Sequence, residues 1–369
     1  MNTHKILIFP LDIDHADVFI RTAQALGLET VGASSAMSHK GDKAVDHFTR
    51  LPFITDPSFD AALKNILLEY GVTTVYAPHQ GVWRHLETLL VSQPESFQFT
   101  LCQPDPLLAI QQRFLLHDVW AAAVSSDHEL PTTATETDLY PPLSPARYAA
   151  LHRQFLNTPG DSDIGKLRAL CDIARRLPQG DLMEVGCLYG RSAFALGFLA
   201  SFYTLGNLIC VDPWNTAELT DQGVAAALIN AELDNPKVNS ETIFRVFLGT
   251  VALLGNVGYI RKTSGAATND YQVAIRKGEL HSPELGCIPV TGQLSLLHVD
   301  ANHRYDHVRQ DVETWSPFLK SGGWLLLDDY VWAFGDGPQR VGDELLSSPL
   351  YDSAFVSGGT LFLRCTGAT

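Results

Sequence analysis

LMEVGCLYGRSAF, residues 182–194, is the stretch that decides the fold. An apolar run, predicted as a strand over Leu182–Cys187, passes through Gly186 and Gly190 into a helix that begins near Ser192. Glycine has no Cβ, so the turn can be tight and a ligand can approach its backbone closely. In open α/β sheets, ligands sit beyond the carboxyl ends of the strands, where this turn lies. Taken alone, the same residues also describe a strand–glycine–helix turn with no ligand. The next apolar run, Leu208–Val211, ends in Asp212. A carboxylate at that place can accept hydrogen bonds from ribose hydroxyls, or it can cap a helix ahead of Pro213.

Further out, the helix Ile164–Leu177 leads into this region, with apolar residues at Ile164, Leu167, Leu170, Ile173 and Leu177. Three more strands are predicted at Val257–Ile260, Ser295–Val299 and Trp324–Leu327. The chain closes with two short strands, Ser353–Val356 and Leu361–Cys365, around Ser357-Gly358-Gly359, the pattern of an antiparallel hairpin. Two insertions interrupt the alternation: Thr216–Asn256, read as mostly helical and apolar, and Tyr271–Gly292. Segments over such an edge are where lids and acceptor pockets are built.

The segment LLHVDANHRYDHVRQDVETWSPFLKSGGWLLLDDYVW, residues 296–332, carries most of the chemistry. Asp300 ends one predicted strand, and Asp328 and Asp329 end the next. Three carboxylates converging on one sheet edge repel each other unless a cation neutralises them. Hard oxygen ligands suit Mg²⁺ or Ca²⁺. The plainer reading has the acids capping helices or pairing with Lys or Arg. His303 stands in the loop after Asp300, where an imidazole can take a hydroxyl proton or simply bond its own loop. His298, inside an apolar strand, reads as a core histidine. Tyr305 and Tyr330 suit either a pocket or packing, and the glycine- and aromatic-rich 332–340 loop could border an acceptor.

Together these motifs resemble the class I S-adenosylmethionine-dependent methyltransferases. The D-x-x-H-x-Y…GG…DDY pattern is similar to that of a group that includes macrolide-sugar and aminocoumarin-sugar O-methyltransferases. The resemblance implies a Rossmann-like parallel sheet finished by the hairpin. It implies that Glu184, Gly186 and Gly190 line the methionine end of S-adenosylmethionine, that Ser192 also belongs to the cofactor site, that Asp212 holds the ribose, that Trp214 lies near the adenosine and that Ser264 lies near the adenine. Trp214 and Ser264 could equally be packing or capping residues. It further implies Mg²⁺ at Asp300, Asp328 and Asp329 and a proton-accepting role for His303. The expected activity is metal-assisted O-methylation of a small-molecule hydroxyl in natural product biosynthesis. The alternatives are a metal-free N- or carboxyl-methyltransferase, transfer of another group from the same cofactor, or a non-catalytic scaffold.

Residues from Lys5 to about Ala123 alternate strand and helix again: Ile6–Phe9, Ala16–Leu26, Glu29–Ala33, Phe59–Tyr70, Val72–Ala77, Val82–Leu90 and Phe97–Cys102. The stretch from ALGLETVGASS to LLEYGVTTVYAPH resembles the small domain that precedes the ATP-grasp fold, but no ATP-binding body follows it. The expected organisation is an N-terminal α/β domain over 1–124, a linker with a leading helix over 125–160 and rich in Ser, Thr and Pro, and the methyltransferase-like domain over 161–369.

The formal net charge of −15 repels phosphate backbones, which argues against nucleic acid as a partner. No apolar run is long enough to span a bilayer, so no membrane is expected, and the N-terminus lacks the pattern of a signal peptide. The six cysteines show no zinc-ligand spacing and read as reduced, consistent with a cytoplasmic protein. A small-molecule acceptor is the expected partner, and homo-oligomerisation is left open.

Overall fold

A computed structural model describes residues 4–36, 45–133, 136–137, 139–217 and 239–366. The chain divides into two compact units, Met1–Leu116 and His117–Thr369.

The first unit holds β1 (Lys5–Ile8), α1 (Asp14–Ala25), β2 (Glu29–Ser34), β3 (His47–Arg50), α2 (Phe59–Tyr70), β4 (Thr74–Tyr76), α3 (Gln80–Ser92), β5 (Thr100–Leu101) and the start of α4 (Pro106–Ser126). Its five strands are parallel, in the order β3-β2-β1-β4-β5. Leu7, Val31 and Val75 meet Leu63 and Leu86 in its core. The helix α2 has the predicted bounds, because Gly71 at φ 65° terminates it and returns its N–H to the last turn. β3 was not foreseen: its residues are half-buried at a sheet edge and show no alternation.

The second unit begins within α4. Ala121, Val124, Leu130 and Leu143 are buried in its core, as are Tyr148, Leu151 and Phe155 of α5 (Pro145–Asn157). Much of the segment read as a linker is therefore core-forming in this unit. Its Ser, Thr and Pro content masked the few apolar residues that anchor it. α6 (Ile164–Ile173), β6 (Asp181–Val185), α7 (Arg191–Phe202) and β7 (Leu208–Val211) follow. After these come α8 (Ser240–Val251), β8 (Val257–Ile260), α9 (Ser264–Lys277), β9 (Glu279–Ser282), β10 (Gly286–Pro289) and β11 (Leu294–Val299). The unit ends with α10 (Tyr305–Trp315), β12 (Leu319–Leu327), α11 (Gly337–Leu346), β13 (Tyr351–Ser357) and β14 (Thr360–Cys365).

The seven-stranded sheet runs β13-β14-β12-β11-β6-β7-β8. From β12 to β8 every pairing is parallel, and β14 is antiparallel to both its neighbours. The strand order reverses between β6 and β11, the place where a doubly wound sheet opens a crevice at its carboxyl edge. This is the Rossmann-like sheet with a terminal hairpin expected from the sequence. The second insertion contains a small antiparallel pair, β9 and β10. Of the first insertion, 218–238 lie outside the described residues, and the following stretch forms α8, whose Phe244 and Phe247 are buried.

Candidate active site

β6 ends in the glycine turn at the topological switch point. Gly186 (φ 87°) and Gly190 (φ 85°) both adopt backbone angles that favour glycine. Space is a second constraint on Gly186, since a Cβ there would run into the Asp300 carbonyl and Ala301 Cα at the end of β11. Gly190 caps α7, and Ser192 is buried in that helix's first turn.

Asp212, at the end of β7, is almost fully buried. Its Oδ2 accepts the N–H groups of Cys187 (2.8 Å) and Leu188 (3.0 Å), and its Oδ1 accepts that of Trp214 (2.6 Å). Burial pushes its carboxyl up from the usual range, against the pull of these three backbone N–H groups. Asp212 therefore fixes the glycine turn itself. A carboxylate offers about four acceptor positions, which leaves one for a ligand hydroxyl. Trp214 lies in the core among Phe244, Phe247 and Tyr259, and its indole donates to the Leu188 carbonyl at 2.8 Å. Ser264 accepts from the Trp315 indole at 2.8 Å and donates to Asp311. Both side chains are bound within the protein beside the turn and at the start of α9.

Glu184 is buried on β6, beside His298 of β11. Its Oε1 pairs with His298 Nδ1 at 2.9 Å, while Oε2 has no hydrogen-bond partner among the described residues. An orphaned buried carboxylate oxygen next to the glycine turn is costly unless a donor reaches it. That need fits a cofactor with an ammonium group.

The three carboxylates expected to share one cation fall into two groups. Asp328, at the end of β12, faces inward: Lys166 Nζ and Thr360 Oγ1 donate to it. His298 Nε2 stands 3.7 Å from Asp328 and 3.9 Å from Asp300. Asp329 (φ 52°) turns the other way, and its Oδ2 pairs with His303 Nε2 at 2.6 Å. Asp300 lies between them. Two sets of donor atoms, each within 4.8 Å of one another, share it: a buried set of His298, Asp300 and Asp328, and a half-buried set of Asp300, His303 and Asp329. Burial would raise the Asp328 carboxyl, but the Lys166 ammonium and His298 hold it well below the usual range. Burial and the neighbouring Asp328 charge push Asp300 well above it.

The His303 ring stacks on Trp332 with centroids 4.4 Å apart. Around it, Tyr305 and Tyr330 are tied to α11: their hydroxyls donate to Glu344 and Asp343, each at 2.7 Å. Arg340 lies over the Tyr305 ring. Both tyrosines thus brace the loop that carries His303 and Asp329.

Residues 183–330 match the family model described as a methyltransferase domain. This segment is a methyltransferase domain. Its match spans the glycine turn, Asp212, Asp300, His303 and the Asp328–Tyr330 turn, and its cofactor is S-adenosylmethionine. Comparison with curated proteins gives no match. Among solved structures, the O-methyltransferase NovP aligns at 16% identity and a TM-score of 0.37, over 55% of this chain and 80% of its own. CalS11, a calicheamicin methyltransferase, aligns at 13% and 0.38, over 63% and 98%. MycE, a methyltransferase of the mycinamycin pathway solved with Mg and SAH, aligns at 15% and 0.34, over 63% and 56%.

Lys166 went unnoticed in the sequence, although two signals mark it. It falls on the apolar stripe of α6, four residues before Leu170, and it places a cation in a helix's first turn, where the dipole disfavours one.

Proposed function

We propose that the methyltransferase domain transfers the methyl group of S-adenosylmethionine to a hydroxyl oxygen of a small molecule of specialised metabolism, with His303 accepting the proton. The observation that carries this reading is the His303–Asp329 pair beside Asp300 on the partly exposed side of the cluster. A histidine oriented by a carboxylate is the arrangement that makes imidazole an effective base, because the carboxylate stabilises the imidazolium that forms. In the step, the acceptor O–H bond breaks and its proton passes to the imidazole. The oxygen bonds to the methyl carbon as the carbon–sulfur bond breaks, and a neutral thioether leaves. Glu184 offers its unpaired oxygen to the cofactor's ammonium, and Asp212 offers its remaining acceptor position to a ribose hydroxyl.

Asp300 and Asp329 would hold a hard divalent cation such as Mg²⁺ on the same side. When bound, the cation would lower the hydroxyl's pKa and orient it. The choice of a hydroxyl in specialised metabolism is supported by the likeness of the D-x-x-H-x-Y…DDY pattern to the sugar O-methyltransferases. The acidic net charge supports a small acceptor over nucleic acid. No helix among the described residues is long and apolar enough to cross a membrane.

The test is product analysis by mass, with S-adenosylmethionine and panels of hydroxyl, amine and carboxylate acceptors. Methyl transfer confined to hydroxyls and lost in His303→Ala is the expected result. Transfer to amines or carboxylates, or activity that survives His303→Ala, would contradict it.

A further inference from the structure

Lys166 is among the largest fully buried side chains of the protein, at 1% exposure. A lysine is almost never buried so completely unless it is paired. Its ammonium donates to Asp328 and to Ser162 Oγ (3.0 Å) and stands 3.7 Å from Asp300. It therefore sits between the two strand-end carboxylates that a metal would otherwise bridge.

Its backbone is delivered there by a built clamp. Asp163 caps α6 by accepting the N–H groups of Gly165 (2.7 Å) and Lys166 (2.9 Å), and its other oxygen accepts from Gly359 N (3.0 Å) in the hairpin turn. Ser357 Oγ donates to the Gly165 carbonyl at 2.8 Å. The contact is too close for side chains: a Cβ on Gly165 would lie 2.8 Å from Gly358 N, and one on Gly358 would strike the Asp163 carboxylate. The hairpin thus pins the first turn of α6, and the turn carries the ammonium to the sheet edge. Thr360, at the start of the same hairpin's second strand, holds the other oxygen of Asp328.

We infer that Lys166 is the resident cation of the inner carboxylate pair, a positioning residue that neutralises Asp328 and removes it from the donors available to a divalent metal. Any metal the site takes is then held from the outer side, where Asp300 and Asp329 supply the carboxylates, and without Asp328. The inference rests on the proposed assignment of these carboxylates to the reacting edge, but it does not depend on the acceptor or on methyl transfer occurring.

The experiment counts bound Mn²⁺ by electron paramagnetic resonance on the full chain without S-adenosylmethionine, with circular dichroism to confirm folding. Wild type and Asp328→Asn should bind Mn²⁺ alike, to within about twofold. Lys166→Met should gain Mn²⁺ affinity by about tenfold or more, and the gain should vanish in Lys166→Met/Asp328→Asn. Two results would overturn the inference: Mn²⁺ binding in the Lys166-containing protein that Asp328→Asn weakens about tenfold, or a folded Lys166→Met that binds no more than wild type. If Lys166→Met does not fold, the wild-type and Asp328→Asn pair still decides. Because no cofactor or acceptor is present, failure of the methyltransferase reading would show separately, as absent methyl transfer with the Mn²⁺ pattern intact.

Discussion

Asp328 and Asp329 are neighbours in sequence and face opposite worlds. Asp328 points inward to an ammonium, a hydroxyl and a buried imidazole, and Asp329 points outward to His303 under Trp332. Asp329 takes a left-handed backbone conformation in the turn that follows β12. The inner group has its countercharge within the chain, so it can hold its geometry without a ligand. The outer group keeps an imidazole and two partly exposed carboxylates on the side where the proposed reaction would take place. The difference shows how one strand end can serve structure on one side and chemistry on the other.

The sharpest way to break this division is His303→Ala. Loss of a general base lowers kcat by about 10²–10⁴-fold, and S-adenosylmethionine affinity measured by calorimetry should stay near wild type. A comparable fall in cofactor affinity would place His303 in cofactor binding instead. Next in size is Lys166→Met, which leaves Asp328 buried with no ammonium. Removing one partner of a buried ion pair costs about 3–5 kcal/mol, to be read from urea unfolding. A near-neutral result would mean that the inner group needs no cation.

Gly186→Ala tests the seam between the two groups, since the new methyl meets the Asp300 carbonyl at a positive φ. A loss on the order of 2–3 kcal/mol is expected, together with weaker cofactor binding.

Asp311 sharpens the comparison from outside it. This buried acid on α10 has Ser264 for a partner and His307 nearby, and burial pushes its carboxyl up to about 6 from its ordinary value of 3.8. Between those values the native state binds more protons than the unfolded chain, so stability falls as pH rises through the window. Asp311→Asn removes that loss. The variant should gain about 3 kcal/mol on wild type above pH 6, and the gain should shrink toward pH 4. A gain independent of pH would show that its charge is not the cause.

β7 and β8 have the bounds read from the sequence because both are continuous buried apolar runs, and burial alone fixes the element. β9 and β10 were missed inside an insertion because each is four residues long and together they bury only Leu280, Ser282 and Ile288, between exposed Glu279, His281, Cys287 and Pro289. α4 was missed as a helix because its apolar residues run all round it instead of along one stripe. In the site, the glycine turn, Asp212, Asp300, His303 and the paired aspartates were legible as motifs. Their division into inner and outer groups was not, because it depends on the turn at Asp329 and on Lys166, brought in by a hairpin nearly two hundred residues downstream.

The central claim is most directly tested by isothermal titration of the full chain with S-adenosylmethionine, for wild type, His303→Ala and Asp212→Ala. One saturable site per chain is predicted, little changed in His303→Ala and weakened about 10- to 100-fold in Asp212→Ala, as expected for losing hydrogen bonds to a charged group. No saturable binding, or an Asp212→Ala variant that binds as wild type does, would contradict the account.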